Sequence, residues 1–271
     1  MKERVEVLLS CMNQADSSIA ERSRLQTDVV IVNQCDKDEA ISETYVNDMG
    51  DTCIKSFLCV TSRGLSRSRN IAIEHSTGDI CMLSDDDEVF DIGYQQTIED
   101  AYQRYPEADV IVFQIANSGK TYGRHPKKLG FIGAMKVGSW QISFRRKSIL
   151  EHQISFDEEM GSGTGHGSCE EVKFLFDCLH HGLKIQYVPE QVASLNERAA
   201  SQWFSGFTDK YFFNRGWCTR RFLGPLWATL YAILFALRKH DLYKHENSMY
   251  NALKWMLKGI GYVEYPQNIE L

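Results

Sequence analysis

The chain has 271 residues, of which 43% are hydrophobic and 24% are charged, and its formal net charge is −6 at pH 7. This composition is that of an ordinary globular protein with a substantial core, and the negative charge argues against nucleic-acid binding driven by the field of the whole molecule. The eight cysteines form no CxxC pair, which disfavours a disulfide framework or a zinc site. Together with the lack of a long apolar segment in MKERVEVLLS, this pattern predicts a cytoplasmic protein.

Predicted strands and helices alternate through the first half of the chain. Apolar runs predict strands at 5–12, 28–35, 53–61, 79–85 and 108–116, and the periodicity predicts helices at 65–76 and 94–105. This alternation predicts an α/β fold with a Rossmann-like, mostly parallel central sheet and helices on both faces. Ligands of such sheets bind at the carboxyl ends of the strands, where the aspartates 85–87 and the polar stretch 33–36 both fall.

The second half of the chain is less regular. Residues 117–138 are rich in glycine and basic side chains and predict a long, mobile functional loop. A strand is predicted at 139–146, a glycine-rich loop at 156–168, a helix at 169–182 and a strand at 184–189. We therefore predict a catalytic domain at 1–198, with a nucleotide-binding half at 1–116 and an acceptor half at 117–198. A helical region follows at 199–271.

Three consecutive aspartates are the strongest chemical signal in the first half. No glycine precedes Gly50, so the first strand is followed by neither a GxGxxG fingerprint nor a P-loop. Mg²⁺ or Mn²⁺ takes carboxylate oxygens and is often shared with substrate phosphates. Alternation in extended backbone places Asp85 and Asp87 on one side, with Asp86 directed to a sugar hydroxyl or the sheet. The alternative interpretation is a solvated acidic loop.

Two longer motifs surround these aspartates. The segment GLSRSRNIAIEHSTGDICMLSDDD, residues 64–87, resembles the GLSxARN helix and TGDxxxxLDxDD motif of the family 2 glycosyltransferases of bacterial polysaccharide assembly. The segment FDEEMGSGTGHGSCEEVKFLFDCLHHGLKIQYVPE, residues 156–190, is similar to their FDExFGxG…GEDxxFxxxxxxxGxxIxYxPE motif. The resemblance covers roughly residues 5–195 and implies the GT-A fold.

The resemblance implies an inverting, metal-assisted transfer of a sugar from a UDP-sugar. It places Mn²⁺ or Mg²⁺ on Asp85 and Asp87, and the arginine of its ARN motif, here Arg69, near the donor pyrophosphate. The family's acidic pair after the second strand is replaced by two amides in this chain. The implied donor-binding residues are Asn13, Gln14, Asn33, Gln34, Asp36, Arg63, Arg69, Asp85 and Asp86.

The same resemblance predicts the catalytic base and the acceptor side. Glu171 takes the place of the family's usual aspartate, with its neighbour Glu170 left open as the base, and acids that complement a helix dipole are the alternative interpretation. Gly163, His166 and Trp140 are the predicted acceptor-side residues. Because the family's later histidine is missing, His166 is also a candidate metal ligand, and an exposed loop histidine is the alternative.

The stretch at 222–237 is apolar and is flanked by basic residues at 220, 221, 238 and 239. As a helix it would span about 24 Å, short of the ~30 Å hydrocarbon core of a bilayer. It predicts an interfacial helix on the inner face of the cell membrane. A buried helix packed on the catalytic domain or on a second copy of the chain is the alternative.

A membrane position agrees with a polyprenyl-diphosphate-linked glycan as the acceptor, which the resemblance and this segment imply together. Basic residues in the loop 120–128 then meet the acceptor's diphosphate, or lie in solvent. Two other functions stay open at this point. One is a metal-dependent nucleotidyltransferase, and the other is a non-catalytic sugar-nucleotide-binding subunit of a membrane synthase.

Overall fold

A computed structural model of the chain describes residues 3–196 and 206–262, which form two compact units. The first unit contains the described residues at 3–159 and 170–196, and the second contains 160–169 and 206–262. The glycine-rich loop thus groups with the C-terminal helices. The predicted boundary between 198 and 199 lies outside the described residues.

A single mixed sheet forms the first unit. Its strand order is β3-β4-β2-β1-β5-β9-β7-β10-β6, with β8 paired to β10. Within the described residues the ten strands are β1 Val5–Met12, β2 Asp28–Gln34, β3 Glu39–Val46, β4 Thr52–Val60, β5 Ile80–Asp85, β6 Glu88–Phe90, β7 Val110–Ala116, β8 Lys127–Leu129, β9 Ile142–Arg145 and β10 Ile185–Leu195.

The parallel strands of this sheet are the ones that the apolar runs predict. β4, β2, β1 and β5 lie side by side and parallel, and β7 pairs with β10 in the same way. The central strands β1 and β2 are buried along nearly their whole length because helices and loops cover the sheet. Their carboxyl ends therefore meet at one edge of the sheet, which we call the donor edge.

Two short regions differ from the sequence prediction. β3 pairs antiparallel with β4, but its polar sequence EAISETYV is exposed almost throughout and gives no apolar run. The predicted loop at 117–138 is wrong in part, because β8 and a short helix lie within it. The predicted strand at 139–146 begins as a 3₁₀ turn, Ser139–Gln141, and only then continues as β9.

The helices of the first unit include the three that the periodicity predicts. α2 packs on β1 and β2, and α3 packs on β10 and β1. The described helices of this unit are α1 Ile19–Arg22, α2 Leu65–His75, α3 Tyr94–Arg104, α4 Phe131–Ala134, α5 Arg146–Glu151 and α6 Glu170–His180.

The second unit is helical, with α7 Asp209–Arg238, α8 His240–Tyr243 and α9 Met249–Gly261. α7 and α9 cross at backbone contact: a Cβ at Gly216 would lie 2.0 Å from the carbonyl oxygen of Met256, and a Cβ at Gly259 would lie 2.0 Å from that of Phe213. Only glycine fits this crossing. Among the described helices, none combines the length and apolar character needed to cross a membrane.

The C-terminal half of α7 begins at a kink, where Gly224 has φ 73° and Pro225 follows. Beyond the kink the helix buries alanines and Phe235, while its larger aliphatic side chains face outward. The exposed large residues of this half, which we call the α7 stripe, are Leu226, Trp227, Leu230, Ile233, Leu234 and Leu237.

Candidate functional site

The donor edge brings the predicted donor residues of three strands together. In the register of the sheet, Cys11 of β1 is opposite Asn33 of β2, and Ser10 is opposite Asp85 of β5. The polar strand ends of β2 and β5 therefore flank the end of β1. This is the position at which α/β sheets bind ligands.

Asn33 is fully buried and holds the segment that follows β1. Its Oδ1 accepts a hydrogen bond from the backbone N–H of Gln14 at 2.9 Å, and its Nδ2 donates to the carbonyl oxygen of Gln14 at 2.9 Å. Asn13, with φ 51°, is exposed, and Gln14 is half-buried. The amide of Asn33 is thus used to position Asn13 and Gln14.

Gln34 and Arg63 hold the neighbouring loops in place by hydrogen bonds. Gln34 is buried, and its Oε1 accepts from the N–H of Gly64 at 2.7 Å. Gly64 has φ 116° and precedes α2, a conformation that favours glycine. Arg63 donates to the carbonyl oxygen of Cys35 at 2.8 Å and pairs with the exposed Asp36 at 2.7 Å. These contacts join the ends of β2 and β4.

Arg69 lies beneath the site with a side chain that is 1% exposed. Its guanidinium joins two carboxylates, Asp85 at 2.8 Å and Glu170 at 2.9 Å. Burial lowers the pKa of Arg69, but the two carboxylates outweigh it and leave that pKa raised. The structure therefore makes Arg69 a brace between β5 and the start of α6. The predicted place of Arg69 near the donor pyrophosphate stays a prediction.

The turn after β5 crowds several carboxylates together, and Arg69 pairs with one of them, Asp85. Burial, together with Asp85 and Asp86, raises the pKa of Asp87 to about 6. Glu88 is 1% exposed, and burial raises the pKa of its carboxyl well above the usual range. Its Oε1 accepts from the backbone N–H of Asp85 at 3.2 Å, whereas its Oε2 has no hydrogen-bond partner among the described residues.

A divalent cation fits this turn. Across residues 3–196 and 206–262, no three His, Cys, Asp or Glu side chains converge to hold a metal ion. A hard cation that takes one or two carboxylates and completes its shell with water and phosphate oxygens needs no such cluster. A cation would offset the repulsion among the carboxylates of Asp85–Asp87. It would also provide positive charge near Glu88, whose Oε2 has no partner among the described residues.

The two candidate bases at the start of α6 have different environments. Glu170 is 6% exposed and is held by Arg69, so its carboxylate is committed within the protein. Glu171 is half-buried and interacts electrostatically with both Arg69 and Lys120. Since the two are neighbours in one helical turn, Arg69 fixes the orientation from which Glu171 projects.

The predicted acceptor-side residues belong to two units. In the first unit, Trp140 lies in the 3₁₀ turn with its ring 4.9 Å from the Nζ of Lys120. In the second unit, Gly163 has φ 88° within the glycine-rich loop. His166 stacks on Trp217 with ring centroids 3.7 Å apart, and its Nδ1 is 3.2 Å from the Oδ1 of Asn214. The His166 ring is thus held by packing within its own unit.

The sequence reasoning missed the residues that link the acidic turn to the basic segment. Ser139 donates to Asp85 Oδ2 at 3.4 Å, and two residues later Gln141 Oε1 accepts from Lys120 at 3.0 Å. Burial lowers the pKa of Lys120 to about 8, against the opposing effect of Glu171. The only signal in the sequence was the basic composition of 117–138, which does not specify contacts.

Comparison with known proteins identifies the class. The profile of glycosyl transferase family 2 matches residues 5–169. The chain therefore belongs to glycosyltransferase family 2, and sugar transfer is its class of activity. A search of curated proteins finds no significant match.

Solved structures show the same fold. The crystal structure of S. aureus TarS 1–349 matches with a TM-score of 0.56 at 12% identity, covering 90% of this chain and 73% of that chain. Its complex with UDP matches with a TM-score of 0.59 at 12% identity, with coverages of 95% and 80%. Its complex with UDP-GlcNAc gives 0.56 at 14% identity, with coverages of 90% and 74%. The predicted GT-A fold and family are confirmed.

Proposed function

We propose that this enzyme is an inverting glycosyltransferase that uses a UDP-sugar donor and a divalent cation. The observation that carries the proposal is the Arg69 brace, which fixes an acidic turn and a half-buried glutamate at the start of α6 relative to each other. A carboxylate for a cation and a second carboxylate for an acceptor proton are what such a transfer needs. The structural likeness to a protein solved with UDP and UDP-GlcNAc supports a uridine donor.

The donor is assigned to the donor edge. Asn13 and Gln14, held by Asn33, face the uridine, and Arg63 with Asp36 lies beside them. Asp86, the exposed member of the acidic turn, contacts the sugar or ribose hydroxyls. Asp85 and Asp87 would hold Mn²⁺ or Mg²⁺, whose bound charge would stabilise the departing diphosphate.

Glu171 is the base in this mechanism. Its carboxylate accepts the proton of the acceptor hydroxyl as that oxygen forms a bond to C1 of the donor sugar. The bond from C1 to the diphosphate oxygen breaks, and UDP leaves from the opposite side of C1, which inverts the configuration. Glu170 does not contact the substrates; it keeps Glu171 in place through Arg69.

A product assay tests this function against its alternatives. Calorimetric titration with a panel of nucleotide sugars, with and without Mn²⁺, identifies the donor, and turnover with that donor should release UDP. Release of pyrophosphate would show a nucleotidyltransferase instead. Donor binding with no transfer or hydrolysis under any metal condition would indicate a non-catalytic subunit.

The α7 stripe supports the second part of the proposal, in which the enzyme acts at the inner face of the cell membrane on a polyprenyl-diphosphate-linked glycan. Leu226, Leu230, Ile233 and Leu237 recur at helical spacing and are each 40% exposed or more. Such a face with flanking cations is typical of interfacial helices. Arg238 and Lys239 are exposed at its end.

Co-sedimentation with anionic vesicles tests this membrane assignment. Wild type should pellet with the vesicles at low salt and much less at high salt, because screening weakens attraction between Lys or Arg and anionic headgroups. Leu230→Ser together with Leu237→Ser should release the protein while it stays folded. A wild-type protein that stays in the supernatant at low salt contradicts the assignment, and dimerisation lost in the double variant would show a second copy as the partner.

A further inference from the structure

A cavity of about 470 Å³ lies in the first unit, between β8, α4 and the segment that follows β7. Its lining includes four lysines, Lys120, Lys127, Lys128 and Lys136, and no Asp or Glu among the described residues. Tyr122 and Tyr187 provide the aromatic part of the wall. A concave site of this volume can hold part of a small-molecule ligand, and four lysines without a carboxylate suit a ligand that carries an anionic group.

The walls of this cavity are fixed by hydrogen bonds. Tyr187 donates to the carbonyl oxygen of Gly123 at 2.6 Å and accepts from Gln114 Nε2 at 2.6 Å. The Nζ of Lys127 lies 5.8 Å from the centre of the Tyr187 ring. Lys120 donates to the carbonyl oxygen of Lys136 at 2.9 Å and to Gln141. The wall is therefore held by hydrogen bonds, which also fix the Lys120 ammonium, while the exposed side chains of Lys127, Lys128 and Lys136 lie at its surface.

The cavity is connected to the proposed chemistry through Lys120. The ammonium of Lys120 interacts with the carboxylate of Glu171, and its partner Gln141 is in the same 3₁₀ turn as Ser139, which contacts Asp85. Lys120 thus links the lining of the cavity to Glu171 by electrostatic interaction and, through Gln141, to the turn that contacts Asp85. Because Glu171 is the proposed base for the acceptor hydroxyl, an anionic group of the acceptor is the ligand that best fits these lysines.

We infer that this cavity binds a phosphate-bearing part of the acceptor, so that the enzyme selects acceptors carrying phosphate near the hydroxyl that is glycosylated. The inference depends on the proposed transferase function. The chemistry recognised is phosphate, whether it belongs to the diphosphate of a lipid carrier or to a phosphodiester within the acceptor chain. The lysine ammonium groups would form charge-assisted hydrogen bonds to it.

Calorimetry on the full chain saturated with UDP and Mg²⁺ tests the inference, because UDP then occupies the donor edge. The phosphate probes are farnesyl diphosphate, which represents the lipid carrier, and glycerophosphoglycerol, which represents a phosphodiester. Diglycerol is the uncharged control. At least one phosphate probe should bind, diglycerol should not, and the probe that binds better identifies the source of the phosphate.

Lysine variants assign the binding to this cavity. Lys127→Gln combined with Lys128→Gln should weaken the phosphate probe about tenfold or more, the usual effect of losing charge-assisted hydrogen bonds. Lys147→Gln, a matched change at an exposed lysine of α5, should leave it within about twofold. UDP affinity should be the same in wild type, in the Lys127, Lys128 double variant and in Lys147→Gln. Lys120→Gln, checked for an unchanged melting curve, should weaken the probe as well.

Two outcomes would overturn the inference while leaving the transferase intact. One is a protein that binds UDP but neither phosphate probe. The other is equal probe binding by wild type and by the Lys127, Lys128 double variant. Failure of wild type to bind any nucleotide would instead contradict the proposed function, so the two failures are distinguishable.

Discussion

Two charged regions of the first unit handle charge in opposite ways. Around Arg69 one buried cation lies between two carboxylates, the buried Glu170 and the half-buried Asp85, so the positive charge is fully compensated. In the acidic turn, Asp85–Asp87 and Glu88 crowd negative charge, and burial and mutual repulsion raise the pKa values of Asp87 and Glu88. Asp85 is shared by the two regions. We infer that the charges paired with Arg69 serve the fold, whereas in the proposed function the crowded charges of Asp86 and Asp87 are maintained for a ligand.

Loss of the Arg69 charge should have the largest effect on stability. Arg69→Met removes the cation and leaves the buried Glu170 and the half-buried Asp85 without compensation, which costs about 3–5 kcal/mol of unfolding free energy. Arg67→Met on the same helix is the matched control: its ion pair with Glu158 is half exposed, and its loss should cost less than about 1 kcal/mol. Urea denaturation of both proteins measures the difference, and equal losses would contradict the distinction between the two regions.

Glu171→Gln should separate catalysis from structure. Transfer activity should fall by about 10²-fold or more, as expected for loss of a positioned base, while donor affinity and melting temperature stay near wild type. Glu170→Gln should instead lower the melting temperature, since it removes one charge of the Arg69 group. Steady-state kinetics and thermal melts on both variants test this. If Glu170→Gln alone loses activity in a protein of normal stability, the assignment of the base is reversed.

Asp87→Asn should stabilise the protein and impair metal-dependent binding at the same time. Because the pKa of Asp87 is about 6 in the folded protein, ionisation of this carboxyl opposes folding. The loss of stability is absent below about pH 4, grows between about pH 4 and 6, and is complete above that range. Allowing for solvent screening at this half-buried side chain, the variant should gain about 1 kcal/mol at pH 7 and nothing at pH 4.

The control for Asp87→Asn is a titration of both proteins with Mn²⁺ and UDP. Wild type should gain stability from the pair of ligands, and the variant should lose most of that gain. Wild-type UDP binding that EDTA leaves unchanged would contradict the metal assignment.

Asp36→Asn should have the smallest effect on stability. The Asp36 side chain is 99% exposed, so its pair with Arg63 is screened by solvent, and we expect no measurable change in melting temperature. A change in UDP affinity without a change in stability would assign Asp36 to the donor. A clear loss of stability would show that Asp36 has a structural role despite its exposure, so that exposure does not identify the ligand-contacting residues of the donor edge.

The strengths of the sequence prediction have a physical explanation. Buried parallel strands such as β1 and β2 need apolar runs, and the helix motif at 64–87 has a spacing that few folds share, so fold and family could be inferred. β3 could not, because an exposed edge strand has no apolar signature.

The roles of Asn33 and Arg69 were beyond the sequence for a different reason. A polar residue at a strand end or in a helix motif can face a ligand or brace the protein, and only burial distinguishes the two. Asn33 is 0% exposed and Arg69 is 1% exposed, so both support the groups beside them. The basic composition of 117–138 likewise did not show that four of its lysines line one cavity.

Lys120 gives the cavity a chemical reporter. An amine whose pKa is about 8 is roughly half unprotonated at pH 8, whereas an ordinary lysine is unprotonated in well under about 1% of molecules. Acylating reagents attack the unprotonated amine, so brief labelling near that pH should mark Lys120 ahead of the other lysines. An anion in the cavity would restore the proton and suppress the label, so that mass spectrometry of a single peptide would read the occupancy of the cavity during turnover.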